Sequence, residues 1–249
     1  MADSAHIEIR NLSMAYGEFL VQRDLNFAVS KGDVFVIMGG NGCGKTTLMR
    51  ALIGLQRPAA GTVRYDGEDF WGAAEEDRAR MKRRLGILFQ GGALWSSLTL
   101  AENVALPLAE YTGLPPGRVA EIVSFKLALV GLAGFEDFYP SELSGGMKKR
   151  AGLARAMALD PDILIVDEPS SGLDPLTARR LDDLILELRE SLGTTIIVIS
   201  HDLASILAIG SDSIYLDADT HTMIATGNPR EALTHGDPKV RHFLTRGSE

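Results

Sequence analysis

The stretch DVFVIMGGNGCGKTTLMRALIGL, residues 33–55, runs from an apolar segment through a glycine-rich loop into a helical pattern. The apolar segment at 33–38 predicts a strand buried on both faces, as in a parallel sheet covered by helices. The loop matches the pattern G-x-x-x-x-G-K-[ST] through Gly39, Gly44, Lys45 and Thr46. Glycines let such a loop curl so that its N–H groups face inward, and the start of the next helix adds partial positive charge. The stretch therefore predicts an α/β fold with a phosphate-binding loop after a buried strand.

Two side chains of this loop have expected roles toward a nucleotide. In loops of this pattern the lysine, here Lys45, neutralises the β- and γ-phosphates, and the hydroxyl, here of Thr46, ligates Mg²⁺. An ordinary glycine turn into a helix would need neither residue type at these offsets. The residues expected to contact the nucleotide are Gly39, Gly40, Asn41, Gly42, Cys43, Gly44, Lys45, Thr46 and Thr47.

The single cysteine, Cys43, lies inside this loop. Amide groups at a helix N-terminus favour a thiolate, which predicts that alkylation of Cys43 blocks ATP binding and that ATP protects the thiol. The alternative is a small spacer residue with no chemistry of its own. One cysteine cannot form an internal disulfide, so an oxidising secretory setting has no support.

The segment ILIVDEPSSGLD, residues 163–174, supplies acidic side chains. Asp167 ends an apolar strand, where ligands collect in open α/β sheets, and is expected to hold Mg²⁺ through water. Glu168 follows directly and could polarise an attacking water. Two acids at a strand end can also simply face solvent, but the phosphate-binding loop favours the chemical interpretation. Asp174, followed by Pro175, is expected to cap the next helix.

Further patterns complete the α/β fold. Short β-rich pieces at 7–10, 25–29 and 61–65 predict a small antiparallel layer. The apolar runs at 163–167 and 195–200 predict two more buried strands. The helical stripe between these two runs indicates a right-handed parallel crossover.

Residues 97–158 resemble a helical insertion in this fold. Thr99 and Glu102 have the spacing of a capping box that starts a helix, and Pro107 is expected to bend or end that helix. The acidic segment at 67–84 is expected to form an exposed helix and connector with solvated charges.

The sequence contains no internal repeat and no long linker, so we expect a single domain over 1–249. Its core would span about 1–90 and 159–229. A helical subdomain would span about 91–158, and a C-terminal tail about 230–249.

Composition limits the function classes. The formal net charge is −8 and the isoelectric point about 5.2, which argues against a broad basic face for nucleic acid. The start MADSAHIEIR lacks the basic and apolar regions of a signal peptide. No run approaches the roughly 18 consecutive apolar residues of a membrane-spanning helix. We therefore expect a cytoplasmic protein whose membrane role, if it has one, comes through a partner.

Two further motifs are ELSGGMKKR at 142–150 and SHD at 200–202. Together with the phosphate-binding loop and the acidic strand, they resemble the ATPase subunits of ATP-binding-cassette (ABC) transporters, whose signature LSGG matches. The motif order covers nearly the whole chain. The resemblance implies a P-loop NTPase fold with a RecA-like core, ATP and Mg²⁺ as ligands, and ATP hydrolysis by a homodimer that sandwiches two nucleotides.

The same resemblance assigns further roles. The residues that would meet the γ-phosphate bound to the second subunit are Ser144, Gly145, Gly146 and Met147. His201 would act in catalysis with Glu168 and Lys45, although a lone histidine is more often structural. Asp174 would lie at the dimer seam in addition to capping its helix. Tyr16 would stack on adenine, although a single tyrosine after a strand is usually packing.

The stretch FQGGALWSSLTLAENVALPL, residues 89–108, acquires a role through this resemblance. Gln90 would ligate Mg²⁺ and sense the γ-phosphate, and the glycines after it would let the loop move. The residues that would form a groove for a permease helix are Ala93, Leu94 and Trp95. For Trp95 the groove and the core are equal alternatives. Core packing is expected for Leu98, Val104, Leu106 and Leu108.

Among ABC ATPases the chain looks most like those of Mla-type systems, through LSGGM with KKR, the run at 89–108 and the tail DPKVRHFL. This likeness implies phospholipid transport between inner and outer membranes, from the cytoplasmic face of the inner membrane. The implied partners are an MlaE-type permease, an MCE-domain substrate-binding protein and often a small STAS-domain protein. The alternatives are an ABC transporter of another substrate and a soluble ABC protein. A soluble translation-factor type would be expected to carry two cassettes, and a chromosome-maintenance type a long coiled coil.

Overall fold

The computed structural model describes residues 5–245, which form two β-sheets flanked by helices. The first four residues of the chain and the last four of the expected tail lie outside this range. The strands are β1 (Ile7–Tyr16), β2 (Phe19–Val29), β3 (Val34–Gly39), β4 (Ala60–Tyr65), β5 (Glu68–Asp69), β6 (Leu85–Leu88), β7 (Ile163–Asp167), β8 (Thr195–Ile199), β9 (Asp212–Asp217) and β10 (Thr222–Thr226). The helices are α1 (Lys45–Leu52), α2 (Glu75–Arg83), α3 (Leu100–Tyr111), α4 (Pro116–Leu129), α5 (Gly145–Ala156), α6 (Pro175–Leu192), α7 (Leu203–Ile209), α8 (Pro229–His235) and α9 (Pro238–Thr245).

The larger sheet has the strand order β10-β9-β3-β8-β7-β6. β3 pairs in parallel with β8 and β9, and β7 pairs in parallel with β6 and β8. β10 closes one edge antiparallel to β9. Every residue of β3, β7 and β8 is buried, so the prediction of three buried parallel strands is confirmed. Their carboxyl ends share one edge of the sheet.

Alternate side chains of β3 enter two different cores. Val34, Val36 and Met38 pack with the apolar faces of α3 to α7 on one side of the sheet. Phe35 and Ile37 pack with α1 and the smaller sheet on the other side. A slip of one residue would exchange these faces, so burial on both sides fixes the register of the strand.

The smaller sheet is antiparallel, with the order β2-β1-β4-β5. It is longer than the sequence predicts, because β1 and β2 form a complete hairpin that pairs Tyr16 with Phe19. The sequence pattern indicates only 7–10 and 25–29. Register shifts interrupt the pairing of β1 with β2 at three points. Such irregularities break the alternation of apolar and polar residues from which a strand is predicted.

Helices α3, α4 and α5 pack together beside the larger sheet. The predicted capping box at the start of α3 is confirmed, since Glu102 N–H donates to Thr99 Oγ1 and Thr99 N–H donates to the Glu102 carboxylate. Pro107 lies inside α3, which continues to Tyr111, so Pro107 does not end the helix, and the alternative that it bends the helix stays a prediction. Val104 and Leu108 are buried on either side of Pro107, and their packing outweighs the single backbone hydrogen bond that proline removes.

The acidic segment at 67–84 contains β5 and α2, and Met81 is the one buried residue of α2. Most of its charged side chains are exposed, as predicted, whereas Asp69, Arg78 and Arg84 are half-buried. The division of the chain into core, helical subdomain and tail stays a prediction.

One carboxyl group is buried between α6 and α7. Asp182 of α6 is 6% exposed, and its Oδ2 accepts a hydrogen bond of 2.7 Å from Ser205 Oγ of α7. Its other oxygen, Oδ1, has no hydrogen-bond partner among the described residues. Burial raises the pKa of Asp182 to about 6, because the charged form is poorly solvated there.

Replacing Asp182 with asparagine removes this titration. Because its folded-state pKa lies above the unfolded value, Asp182 stabilises the fold fully below the unfolded pKa and loses this effect as the pH rises through about 6. From pH 5 to pH 8 we expect the free energy of unfolding of Asp182→Asn to rise relative to wild type by about 1–2 kcal/mol, measured by urea denaturation. Asp183→Asn, an exposed neighbour on α6, is the control. The same pH dependence in all three proteins would contradict the prediction.

Candidate active site

The carboxyl edge of the larger sheet brings together residues that the chain separates widely. Gly39 ends β3, Asp167 ends β7, and His201 follows β8. Asp167 pairs with Ile199, and Ile199 pairs with Ile37, so the three strands end in register. Ligands of open α/β sheets bind outside this edge.

The loop at 39–44 leads directly from β3 into α1. Gly39 has a φ of 150°, and a Cβ there would lie 2.5 Å from the Leu216 carbonyl oxygen and 2.7 Å from Cys43 Sγ. Gly44 has a φ of 101°, which also favours glycine. The first N–H groups of a helix have no partner within the helix, so the start of α1 presents donors to an anion in the loop.

The Lys45 ammonium lies across this loop. Lys45 is 8% exposed, and its Nζ donates hydrogen bonds to the Gly39 oxygen at 2.7 Å and the Gly40 oxygen at 2.9 Å. These partners are neutral carbonyl groups, so the positive charge is available to an anion. Thr46 is the next residue, and its side chain is exposed in the first turn of α1.

Cys43 is 1% exposed and packs within the apolar core behind the loop. Burial raises the pKa of the thiol, and the Lys45 charge opposes this rise without reversing it. The expected thiolate is therefore wrong, because loss of solvation outweighs the nearby positive charge. The geometry fits the alternative, a small spacer residue.

Asp167 and Glu168 are both buried next to the loop. Burial raises the pKa of Asp167, and the negative charge of Glu168 raises it further. Glu168 Oε1 lies 2.7 Å from Nδ1 of His201, whose side chain is half-exposed. The other oxygen, Glu168 Oε2, is buried and has no partner in the described part of the chain. Asp167 and Glu168 therefore do not simply face solvent. The Glu168 Oε2 atom remains able to accept a hydrogen bond from a ligand or a water.

The backbone at Glu168 is strained. Its φ is 48°, in the left-handed region that residues other than glycine rarely adopt. The Glu168 N–H donates to the Ile199 oxygen at 2.8 Å, and the Glu168 carbonyl accepts a hydrogen bond of 2.9 Å from Lys149 Nζ.

Sequence reasoning passed over Lys149, a buried residue of α5. A signal was present, since Lys149 follows Gly146 by three residues and precedes Leu153 by four, which are spacings of one helix face. A lysine on an otherwise buried face needs local partners for its charge.

Gln90 and Tyr16 flank the site. Gln90 is exposed, and its Nε2 donates to Ser171 Oγ at 3.2 Å. Tyr16 is 48% exposed, so simple core packing does not account for it. Its hydroxyl accepts a hydrogen bond of 3.2 Å from Arg50 Nη1, and hydrogen bonding with Thr47 and Arg50 lowers the pKa of the Tyr16 hydroxyl.

The LSGG motif forms a second group with the start of α6. Ser144 caps α5, with its Oγ accepting from Met147 N–H at 3.3 Å. Asp174 caps α6 and accepts from Thr177 N–H at 3.0 Å, which confirms the predicted cap. The two helix starts are adjacent, because a Cβ at Gly146 would lie 2.6 Å from Thr177 Cγ2. Within residues 5–245, no hydrogen bond joins Ser144 or Asp174 to the phosphate-binding loop or the acidic pair.

Trp95 is 63% exposed, so the structure does not support its core alternative. Asn103 braces the loop that carries Trp95: its Oδ1 accepts from Trp95 N–H at 2.8 Å and its Nδ2 donates to the Trp95 oxygen at 3.1 Å. Val104 and Leu108 are buried as expected. The expected core packing of Leu106 is wrong, because it is 38% exposed on the other face of α3.

A glycine-rich loop between a buried parallel strand and a helix, with acids on a neighbouring strand, defines the class of P-loop nucleoside triphosphatases. Residues 22–171 match the model of the ABC transporter family. The chain is 41% identical to the intermembrane phospholipid transport system ATP-binding protein MlaF of Haemophilus influenzae, over 98% of this chain and 91% of that protein. The chain therefore belongs to the ABC transporter family, and it is an ATP-binding and ATP-hydrolysing cassette.

Two other relatives have a similar sequence identity to this chain. MlaF of Escherichia coli K12 is 40% identical over 96% of this chain and 88% of that protein. The probable ribonucleotide transport ATP-binding protein mkl of Mycobacterium tuberculosis is 39% identical over 96% of this chain and 66% of that protein.

Solved structures of ABC cassettes share the fold. The cassette cbiO1 of Clostridium perfringens, part of the transporter complex cbiONQ, has a TM-score of 0.85 and 26% identity over 98% of this chain and 96% of that one. The cassette MJ0796, as a post-hydrolysis dimer bound to ADP and Pi, has a TM-score of 0.81 and 27% identity over 89% of this chain and 98% of that one. The predicted fold class is confirmed. Between residues 5 and 245, no helix has the length and apolar character needed to cross a membrane.

We expect Cys43 in the native protein to react with iodoacetamide far more slowly than in the urea-unfolded chain, because the native thiol is buried and burial raises its pKa. Timed alkylation at pH 8, followed by mass spectrometry of the intact chain, measures both rates. The unfolded chain is the matched control, since the sequence has one cysteine. Equal rates in the two states would restore the reactive-thiolate interpretation.

Proposed function

We propose that the chain is the ATPase subunit of a transporter that moves phospholipid between two membranes through a separate permease. The observation that carries this proposal is the 41% identity to the Haemophilus influenzae protein, spread over 98% of this chain and 91% of that one. The mycobacterial relative, named for probable ribonucleotide transport, is 39% identical, but this chain covers 66% of its length. Agreement over the whole length of both proteins favours phospholipid as the transported substrate.

The geometry of the loop supports a role for each nucleotide-contacting residue. The N–H groups of 39–47 bind the phosphate oxygens. Lys45 exchanges its two carbonyl partners for β- and γ-phosphate oxygens, which form stronger, charge-assisted hydrogen bonds. The half-exposed ring of Tyr16 stacks on adenine next to α1.

The residues at the sheet edge fit a magnesium ion. The Thr46 hydroxyl, the Gln90 amide oxygen and the Asp167 carboxylate, the last through water, are hard oxygen donors of the kind that Mg²⁺ prefers. Burial raises the pKa of Asp167, so a cation beside it would stabilise the charged carboxylate. When bound, Mg²⁺ neutralises charge on the reacting phosphates. No group of three or more His, Cys, Asp or Glu among the described residues could hold a metal, so this ligand set relies on phosphate oxygens.

Glu168 is the proposed general base. Its buried Oε2 has no hydrogen-bond partner among residues 5–245 and can accept a proton from the attacking water. His201 holds the other carboxylate oxygen and reaches toward the γ-phosphate. Lys45 contributes to catalysis through its charge, because phosphoryl transfer depends mainly on positioning and electrostatic stabilisation.

A second copy of the chain completes each site. The N–H groups of the LSGG motif lie at the start of α5, where an anion can bind. They belong to a different group from the phosphate loop of the same chain. The dimeric ADP- and Pi-bound cassette MJ0796 supports an arrangement in which Ser144, Gly145, Gly146 and Met147 of one copy meet the γ-phosphate held by the other. Asp174 then lies at the seam.

A permease helix binds at the loop 93–95, where Ala93 and Trp95 are exposed and Leu94 is half-buried against the core. Trp95 offers an aromatic anchor that is 63% exposed, on a loop fixed by Asn103 and connected to Gln90 through two glycines. The likeness to MlaF proteins supports a permease of the MlaE type, an MCE-domain protein beyond it and a small STAS-domain protein on the ATPase. The complex would lie at the cytoplasmic face of the inner membrane.

Two substitutions separate nucleotide binding from hydrolysis. Lys45→Ala should lose binding of a fluorescent ATP analogue, because the loop loses its cation. Glu168→Gln should bind the analogue as wild type does but lower kcat by roughly a hundredfold or more, because the amide cannot accept the proton. Phosphate release measures kcat, and the exposed Glu110→Gln is the control. A kcat near wild type in Glu168→Gln would remove Glu168 from the role of base.

Trp95→Ala should leave ATP binding and basal hydrolysis unchanged but weaken capture of the permease. The tagged chain is expressed in its source cells, and mass spectrometry identifies the proteins recovered with it from detergent-solubilised membranes. The control is Leu192→Ala, an exposed leucine at the end of α6.

We expect wild type and Leu192→Ala to recover a multispan permease with an MCE-domain protein. Recovery of a permease with an amino-acid-binding or nucleotide-binding protein instead would contradict the phospholipid assignment.

A further inference from the structure

Lys149 is a buried cation with an unusual set of partners. It is 6% exposed, and its Nζ donates to the carbonyl oxygens of Glu168 at 2.9 Å, Pro169 at 2.6 Å and Ser171 at 2.7 Å. An ammonium group has three N–H donors, and here a backbone oxygen accepts from each. Lys149 therefore holds one short turn, residues 168–171, through backbone oxygens alone as far as the described part of the chain shows.

The gripped turn carries two groups of the site. It begins with Glu168 in a strained left-handed conformation, and it contains Ser171, whose hydroxyl accepts the Gln90 hydrogen bond. Within the turn, the Ser171 N–H donates to the Glu168 oxygen at 3.3 Å, a long hydrogen bond. A strained backbone persists only where its surroundings over-determine it. Lys149 supplies three of the contacts that do so.

Burying a lysine at this point has a cost. Burial lowers the pKa of Lys149, and the nearby carboxylates of Glu168 and Asp167 oppose that fall. An apolar residue on this face of α5 would avoid the desolvation of a charge, as Leu153 does one turn further along. It would also leave three inward-facing carbonyl groups without these donors.

We propose that Lys149 is a positioning residue for ATP hydrolysis, which holds the turn 168–171 so that the Glu168 carboxylate stays at the reacting edge of the sheet. The proposal rests on the proposed role of Glu168 as general base. Lys149 acts through Glu168 and does not touch the nucleotide. Because Ser144 caps the start of α5, the same helix carries the segment that meets the nucleotide of the second copy. Lys149 thus connects the two sites through the backbone.

The test compares Lys149→Met with Lys149→Arg and Lys149→Gln in the full-length protein. Lys149→Met removes all donors and should lower kcat by roughly tenfold to a hundredfold, because a small displacement of a reacting group is enough for such a loss. KM for ATP and binding of the fluorescent analogue should change by less than about threefold, since the phosphate loop is untouched. Arginine and glutamine restore some donors, so kcat should follow the order Lys, Arg, Gln, Met.

Lys126→Met is the matched control. Lys126 of α4 is 2% exposed and pairs with Asp160, which precedes β7, whereas the turn 168–171 follows that strand. Its loss should lower the melting temperature and leave kcat unchanged. If Lys149→Met does not fold, the comparison of Lys149→Arg with Lys149→Gln decides. The positioning role would be overturned if the Lys149 variants lost ATP binding as well as kcat. It would also be overturned if all Lys149 variants had the same kcat.

A double variant separates this proposal from the role of Glu168. If Lys149 acts through Glu168, then the double variant Lys149→Met with Glu168→Gln should have the same kcat as Glu168→Gln alone. A further loss in the double variant that equals the loss caused by Lys149→Met alone would mean that Lys149 acts independently, which overturns the proposal. A Glu168→Gln variant with the kcat of wild type would instead refute the role of Glu168 as base. If Lys149→Met then still lowered kcat, Lys149 would not act through Glu168, and the proposal would be overturned as well.

Discussion

Parallel hydrogen bonding between β3, β8 and β7 is the constraint on which the site depends. Ile37, Ile199 and Asp167 are paired across these strands. The loop after β3 and the acid that ends β7 therefore lie together at the carboxyl edge of the sheet. Apolar side chains cover both faces of the sheet, and a slip of one residue would turn every side chain into the wrong core. The precision of a polar site thus comes from apolar packing beneath it.

The turn 168–171, which carries Glu168, is held by hydrogen bonds from two other elements. The N–H of Glu168 is held by β8, and its carbonyl is held by α5 through Lys149. The carboxylate position is therefore set by two elements that come from different parts of the sequence. Such support explains how a residue with an unfavourable backbone conformation can stay in one place.

Local patterns predicted the parts of the molecule whose physics is local. The phosphate loop, the buried strands and the caps at Thr99 and Asp174 each depend on residues within a few positions of one another. The raised pKa of the Cys43 thiol was missed because burial, contributed by distant strands, outweighs the charge of the neighbouring Lys45. Lys149 was missed because its partners lie 19 to 22 residues away, on another element. The roles of the nucleotide-contacting residues remain predictions, since they depend on ligands and a second copy.

The left-handed backbone at Glu168 has a consequence for natural variation at this position. Glycine or asparagine would fit a φ of 48° with less strain than glutamate does. A chain that lost its acid here could therefore gain thermal stability while it lost turnover. Selection for stability and selection for activity act in opposite directions on this one residue. Heat-resistant variants with changes at Glu168 would then accumulate only where the need for hydrolysis has been relaxed.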